Sequence, residues 1–211
     1  MRLVIFFLTS CYCVAQPVSF GVVGGGRTTD DINFAATSES KRYIVGPMID
    51  IGIPFGFGIE FDALYSREGF RASSFRPLAT TNIDSHSNVW QLPILVRHSL
   101  PFLRAKPFVE VGYAPRFING SIYISGSFLA TPAQFQSFSM RQSTNWATSH
   151  GVVVGGGVRL HAGPLRFTPA VRYTHWNNAP ISITFPDGPT VQSTQDQVDV
   201  LLGIGWKVAG R

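Results

Sequence analysis

Near the C-terminus, apolar and polar positions alternate one for one. Across residues 197–208, Val198, Val200, Leu202, Ile204, Trp206 and Val208 are apolar, and Asp199, Leu201, Gly203, Gly205 and Lys207 fill the positions between them. A period of two sends successive side chains to opposite faces of a strand and fits no helix. Residues 55–67 repeat the arrangement, with Phe55, Phe57, Ile59, Phe61, Ala63 and Tyr65 on one face and Gly56, Gly58, Glu60, Asp62, Leu64 and Ser66 on the other. Six further segments read in the same way, 17–27, 42–53, 87–99, 106–117, 150–161 and 164–176, which makes eight predicted strands. Pro47, Pro93, Pro107 and Pro169 fall inside them. Each removes a donor from the ladder, so local bulges are expected there.

The connections order these strands. Links at 53–55, 100–105 and 162–163 are short, whereas 28–41, 68–86, 118–149 and 177–196 are long, polar and rich in Ser, Thr, Asn and Pro. Short and long links alternate throughout, as in an up-and-down antiparallel sheet with its turns at one end and its loops at the other. A transmembrane barrel has this layout, with short periplasmic turns and longer external loops. No second domain and no repeat beyond the hairpin is visible.

Charge placement separates a membrane barrel from a soluble one, because lipid requires the apolar face outside. Asp50, Glu60, Asp62, Arg97, Glu110, Arg116, Arg159, Arg166, Arg172, Asp199 and Lys207 all alternate with large apolar residues. An interior in which acids and bases pair accommodates them; an empty ligand cavity does not. Glu60, Asp62, Arg97, Glu110, Arg159, Arg172 and Asp199 are the predicted members of this internal network, with a structural role. Aromatic residues fall at two levels, as interface belts would. Tyr65, Trp90, Tyr113, Phe117 and Tyr173 lie toward the long loops, and Phe55, Phe102, Phe167 and Trp206 toward the short turns.

Two glycine runs, Gly21 to Gly26 and Gly151 to Val158, superficially resemble phosphate loops, but neither has the G-x-G-x-x-G spacing or a Gly-Lys-Ser/Thr ending. In a crowded lumen Gly21, Gly25, Gly155 and Gly157 would instead leave room for the long charged side chains and ease the coiling of a small closed sheet.

The N-terminus reads as a secretory leader. Arg2 precedes the apolar run Leu3 to Leu8, and Val14-Ala15 closes a short polar stretch, so residues 1–15 form the expected signal peptide and 16–211 the barrel domain. Cleavage after Ala15 would remove Cys11 and Cys13, leaving no disulfide or thiolate site. Leu8-Thr9-Ser10-Cys11 also resembles a lipobox, the alternative that would place a lipid on Cys11. No later run reaches the ~20 apolar residues of a membrane helix. The net charge of +5 is modest and carries no lysine or arginine cluster, which excludes a nucleic-acid footprint and suits phosphate-bearing lipids or acidic glycans.

Three segments carry a family resemblance: "WQLPILVRH" at 90–98, "KPFVEVGYAP" at 106–115 and "PAVRYTHW" at 169–176. The chain resembles the bacterial outer-membrane β-barrel proteins related to the barrel of outer-membrane protein A and to the PorT-like group. The resemblance implies an all-β, eight-stranded antiparallel up-and-down transmembrane barrel in the cell outer membrane. The partners it implies are outer-membrane lipids, lipopolysaccharide and the barrel-assembly machinery, with the barrel a monomer. Gly203, Trp206 and Val208 resemble the terminal assembly signal, although Leu201 stands where a polar residue is usual and Ala209-Gly210-Arg211 follow.

His86, His98, His150, His161 and His175 show no HExxH or related ligand spacing, and no G-x-S-x-G elbow occurs. The sequence therefore points to no cofactor, no metal and no catalytic residue. Two alternatives remain. A lipid A-modifying enzyme would use His86 with Ser85 or Ser87, or His150 with Ser149; a narrow channel would thread a lumen that eight strands nearly fill with their own side chains. The favoured expectation is a non-catalytic surface protein that anchors external loops for an unidentified ligand, chiefly 118–149 with Tyr123, Phe128, Phe135, Phe138 and Trp146.

Overall fold

The computed structural model describes residues 18–30, 32, 36–100, 105–131, 134–179, 182–184 and 190–207. The expected leader with Cys11 and Cys13, belt residue Phe102 and assembly-signal residue Val208 lie outside these. No described helix is long and apolar enough to cross a membrane.

The chain is all-β and antiparallel. Its strands are β1 (Val18–Arg27), β2 (Thr37–Ser38), β3 (Lys41–Gly52), β4 (Phe57–Asp62), β5 (Leu64–Arg76), β6 (Ala79–Gln91), β7 (Ile94–Ser99), β8 (Ala105–Thr131), β9 (Gln134–Ala162), β10 (Leu165–Trp176), β11 (Ser182–Thr184), β12 (Thr190–Gln192) and β13 (Asp196–Lys207). There are more strands than the eight predicted segments for two reasons. Ala63 divides β4 from β5 and Leu92-Pro93 divides β6 from β7, while β2, β11 and β12 are short pieces within predicted loops.

The pairings close on themselves. β1 pairs with β3, which pairs with β4 and β5. These pair with β7 and β6, and both of those pair with β8. The circuit then runs through β9, β10 and β13 back to β1. Every strand of the circuit thereby satisfies its backbone on both sides along its shared length.

Two predicted loops are instead strands. Residues 68–86 continue β5 and β6 to a two-residue turn, Pro77-Leu78, with Arg76 opposite Ala79. Residues 118–149 extend β8 and β9 until Thr131 faces Gln134. Their Ser, Thr and Asn content suggests loops, yet Ile, Thr and Phe recur often enough to favour extended chain. No bulge lies at Pro47, which faces Val22 in an unshifted register; the shift in the β3–β5 pairing lies between Lys41 and Val45. Pro93 sits in the gap between β6 and β7. At Pro107 and Pro169 the expectation fails: each faces a partner, Val158 and Leu202, within an unshifted register. Proline there costs one donor and leaves the strand path intact. A bulge that sequence gave no hint of lies at Trp146 (φ 52°), between the pairs Ile118–Ala147 and Gly120–Thr144.

The short links are tight turns. Pro54–Gly56 forms one 3-10 turn in which Phe55 (φ 66°) and Gly56 (φ 81°) are left-handed, and Gly163 (φ 61°) turns β9 into β10. Gly56 and Gly163 adopt this conformation without the Cβ penalty that Phe55 bears.

Candidate functional site

Alternation decides what each strand places inside the circuit. Apolar and charged positions of the same strands divide, with Ile59 half-buried between them. Phe57, Leu202 and Ile204 are exposed, at 47%, 45% and 43%, while Glu60, Arg172 and Asp199 are buried, at 2%, 4% and 3%.

Inside, β3, β4, β7, β8 and β10 converge on two arginines. Arg172 reaches three carboxylates: Glu60 at 2.5 Å, Asp62 at 2.6 Å and Glu110 at 2.7 Å. Arg97 reaches Glu60 at 2.6 Å, Glu110 at 2.8 Å and Asp50 at 2.8 Å. Its guanidinium also lies 4.1 Å from the centroid of the Phe108 ring, a cation–π contact made where no water competes. Toward the short-turn end, Asp50 gathers Arg159 at 2.8 Å and Arg166 at 3.1 Å, and Arg166 donates to Ser19 Oγ at 2.7 Å. Four carboxylates (Asp50, Glu60, Asp62, Glu110) thus meet four guanidiniums (Arg97, Arg159, Arg166, Arg172), so the buried cluster is neutral.

The structure therefore brings together Glu60, Asp62, Arg97, Glu110 and Arg172, with Arg159 joined through Asp50. Asp199 stands apart in a second polar layer nearer the long hairpins. There Gln197 donates to Asp199 at 2.6 Å, Trp176 donates to Gln197 at 3.0 Å, and Arg27 lies 3.7 Å from Asp199 and 2.7 Å from Glu68. Arg116 stacks 4.1 Å over the Trp176 ring. Between the two polar layers sit apolar clusters, Val23, Ile44, Met48, Leu64 and Leu201 on one side and Leu95, Ala114, Val153 and Trp176 on the other. Sequence reasoning missed Arg27, Glu68, Gln197 and the inward Trp176. The signal for Arg27 was present: it continues the inward series Ser19, Gly21, Val23, Gly25.

The glycines face this interior. A Cβ at Gly155 would stand 2.9 Å from Glu110 Oε1 and 3.0 Å from Arg172 Cγ, and one at Gly157 only 2.2 Å from the Pro169 carbonyl oxygen. At Gly21 the obstruction includes Met48 and at Gly25 Leu201. Gly203 is likewise inward, against Met48, while Trp206 is exposed on the opposite face.

The outward face changes character toward the long hairpins. Below lies an aliphatic band that includes Val22, Val96, Val111, Val154, Val171 and Val200. Above it Tyr43, Tyr65 and Trp90 form a chain of rings with centroids 6.5 and 5.2 Å apart, and the Tyr65 hydroxyl donates to Asn88 Oδ1 at 2.8 Å. Farther round, Tyr113 stacks on His150 and hydrogen-bonds it, and Tyr173 donates to Asp196 at 2.5 Å beside His175.

Neither catalytic pair weighed from sequence is assembled. His86 is exposed and bound to Asp84 at 2.9 Å, whereas Ser85 and Ser87 are buried on the opposite face. Ser149 is buried and His150 exposed in the same manner. Ligand atoms of Glu39, Asp84 and His86 lie within 4.8 Å of one another, but Arg71 bridges the two acids at 3.2 and 3.1 Å.

No protein-family model matches the chain, and no curated protein sequence matches it. Among solved structures it is similar to neisserial surface protein A (TM-score 0.48, 10% identity, 91% of this chain and 97% of that one). It is also similar to the N-terminal β-barrel domain of OprF from Pseudomonas aeruginosa (0.42, 12%, 91% and 97%). A third is the outer membrane protease OmpT of Escherichia coli (0.33, 7%, 91% and 97%).

Proposed function

We propose that the closed circuit is an eight-stave up-and-down barrel spanning the bacterial outer membrane, with β4–β5 and β6–β7 each counted as one interrupted stave. Its role is non-catalytic: it anchors a rigid sheet above the membrane for recognition at the cell surface.

The observation that carries this reading is the inversion of faces. A water-soluble protein does not wrap its whole girth in exposed Val, Ile, Leu and Phe while sealing four acids and four arginines inside. In hydrocarbon the same arrangement is the stable one, since no backbone group is left unpaired and no charge meets lipid. On β13 the outward residues Val198 to Trp206 span about 20 Å of membrane normal at ~3.3 Å per residue and ~40° tilt, close to the ~25 Å band of such barrels. The neutral plug argues against a wide aqueous path.

Recognition is assigned to the β5, β6, β8 and β9 extensions, which pair as one sheet above the aromatic ring. β10 follows β9 only as far as Gly151, so β9 from Gln134 to Ser149 presents an edge with β8 as its one described partner. Phe135, Phe138 and Met140 are exposed beside that edge. Free backbone donors and acceptors flanked by apolar side chains suit an extended polypeptide that adds as a strand.

Fractionation with electrophoresis before and after boiling tests membrane residence and closure together. The expected result is outer-membrane recovery and a faster-migrating unboiled form. Recovery in the soluble fraction without a heat shift refutes the reading.

A further inference from the structure

Just above the Tyr43–Tyr65–Trp90 rings, the outward face carries a row of side-chain donors. Lys41 and Arg67 stand directly opposite each other across the β3–β5 pairing, and Arg67 stands opposite Asn88 across β5–β6. All three are exposed. Like charges placed directly opposite on neighbouring strands repel. Neither Lys41 nor Arg67 has a hydrogen bond or ion pair among the described residues. The Asn88 amide oxygen is taken by the Tyr65 hydroxyl at 2.8 Å, which leaves its NH2 group to face outward.

The acids nearby do not relieve this. Lys41 and Arg67 line an open recess of about 550 Å³ together with His86, Glu39 and Glu68. Glu39 is held by Arg71 at 3.2 Å, Glu68 turns inward to Arg27 at 2.7 Å, and His86 is bound to Asp84 at 2.9 Å. Two cations remain at the recess with no described group to receive them, and the Asn88 amide lies beside them, opposite Arg67. A phosphate, with several acceptor oxygens and net negative charge, satisfies all three.

What lies beneath selects the carrier of that phosphate. Below the donors come the faces of Tyr43, Tyr65 and Trp90, then exposed Val45 and Ile49. A free anion has no use for this apolar surface, whereas an amphiphile uses both parts, its headgroup on the donors and its chains along the rings and aliphatics. We propose that Lys41, Arg67 and Asn88 form a specific site for the phosphorylated headgroup of an outer-leaflet glycolipid, with the acyl chains packed on Tyr43, Trp90 and Val45. This rests on the transmembrane reading above.

The test uses the full barrel folded in detergent micelles and titrated, by native mass spectrometry, with bisphosphorylated lipid A, with the same lipid dephosphorylated, and with inorganic phosphate. The variants are Lys41→Gln/Arg67→Gln, and Arg42→Gln as control, whose guanidinium is already on Asp30 at 3.0 Å. The double variant should bind the bisphosphorylated lipid about tenfold more weakly or worse, the control within about twofold of the parent, and the dephosphorylated lipid should bind the parent as weakly as the double variant binds the phosphorylated one. Equal binding by the double variant and the parent overturns the site, as does equal binding of the two lipids. Inorganic phosphate that displaces the lipid at equal concentration overturns the lipid as its occupant. Heat-modifiable migration, checked for every variant, keeps the outcome separate from the barrel reading: if the parent lacks it, the barrel reading has failed; if all variants keep it, the result concerns this site alone.

Discussion

Replacing Arg172 with methionine tests the internal network at its most connected point. Its guanidinium serves Glu60, Asp62 and Glu110, all buried. Glu60 and Glu110 would keep Arg97, at 2.6 and 2.8 Å, but Asp62 would lose the one cation recorded against it. Removing one member of a buried pair costs about 3–5 kcal/mol, mostly through the charge left behind, which is roughly a hundredfold to several thousandfold in the folding equilibrium. If the orphaned Asp62 is the source of that cost, Arg172→Met/Asp62→Asn should recover about 2 kcal/mol or more of it, because an amide without a partner is far cheaper to bury than a carboxylate. Urea unfolding in lipid vesicles, followed by tryptophan fluorescence, measures both, and buried Trp176 reports on the interior directly. A single variant that loses less than ~1 kcal/mol, or a double variant no more stable than the single, would refute the account of a tightly coupled, neutral plug.

Gly157→Leu should abolish the heat-modifiable form, since even its Cβ would sit 2.2 Å from a carbonyl oxygen; Gly163→Ala, with nothing within 4 Å but φ at 61°, should cost only about 1 kcal/mol by the same electrophoretic and unfolding assays. Leu202→Arg, in the middle of the outward band, should destabilise the vesicle-bound protein by about 2–4 kcal/mol, whereas Ser125→Arg on the protruding sheet should change it by no more than ~0.5 kcal/mol. Replacing 121–143 with a short turn should leave the heat shift intact and remove strand-peptide binding measured by surface plasmon resonance; retained binding would exclude this edge as the recognition surface.

Strand identity was legible where one face is apolar and the other polar, as along Val198 to Trp206, which in the proposed membrane setting follows from the cost of one wrongly facing residue. Outside the membrane that constraint disappears. Ser121 to Ser127 and Ser137 to Ser143 therefore read as loop, although they pair residue for residue in β8 and β9. The ionic set was legible as a face but not as a partnership. Parity sends Glu60, Asp199 and Arg172 to the same side, but cannot say that Arg172 meets Glu60 across the lumen while Asp199 belongs to a layer one apolar cluster away. That depends on the stagger between staves, which runs unbroken through Ala63 and which alternation along one strand does not contain. Trp176 had no role assigned from sequence, and only its even parity with Arg172 and Thr174 marked it as inward.

The pairing of β1 with β13 has a consequence for how the molecule comes into being. Ser19 faces Lys207 and Arg27 faces Asp199, so these rungs join the first and last described strands. In the proposed membrane setting, until they form, two rows of bare amides and carbonyls stand in or beside hydrocarbon, at several kcal/mol for each unsatisfied group. Contacts so distant in sequence are also slow to find. A chain without β13 is thus an open sheet with β1 and β10 as bare flanks, not a smaller cylinder.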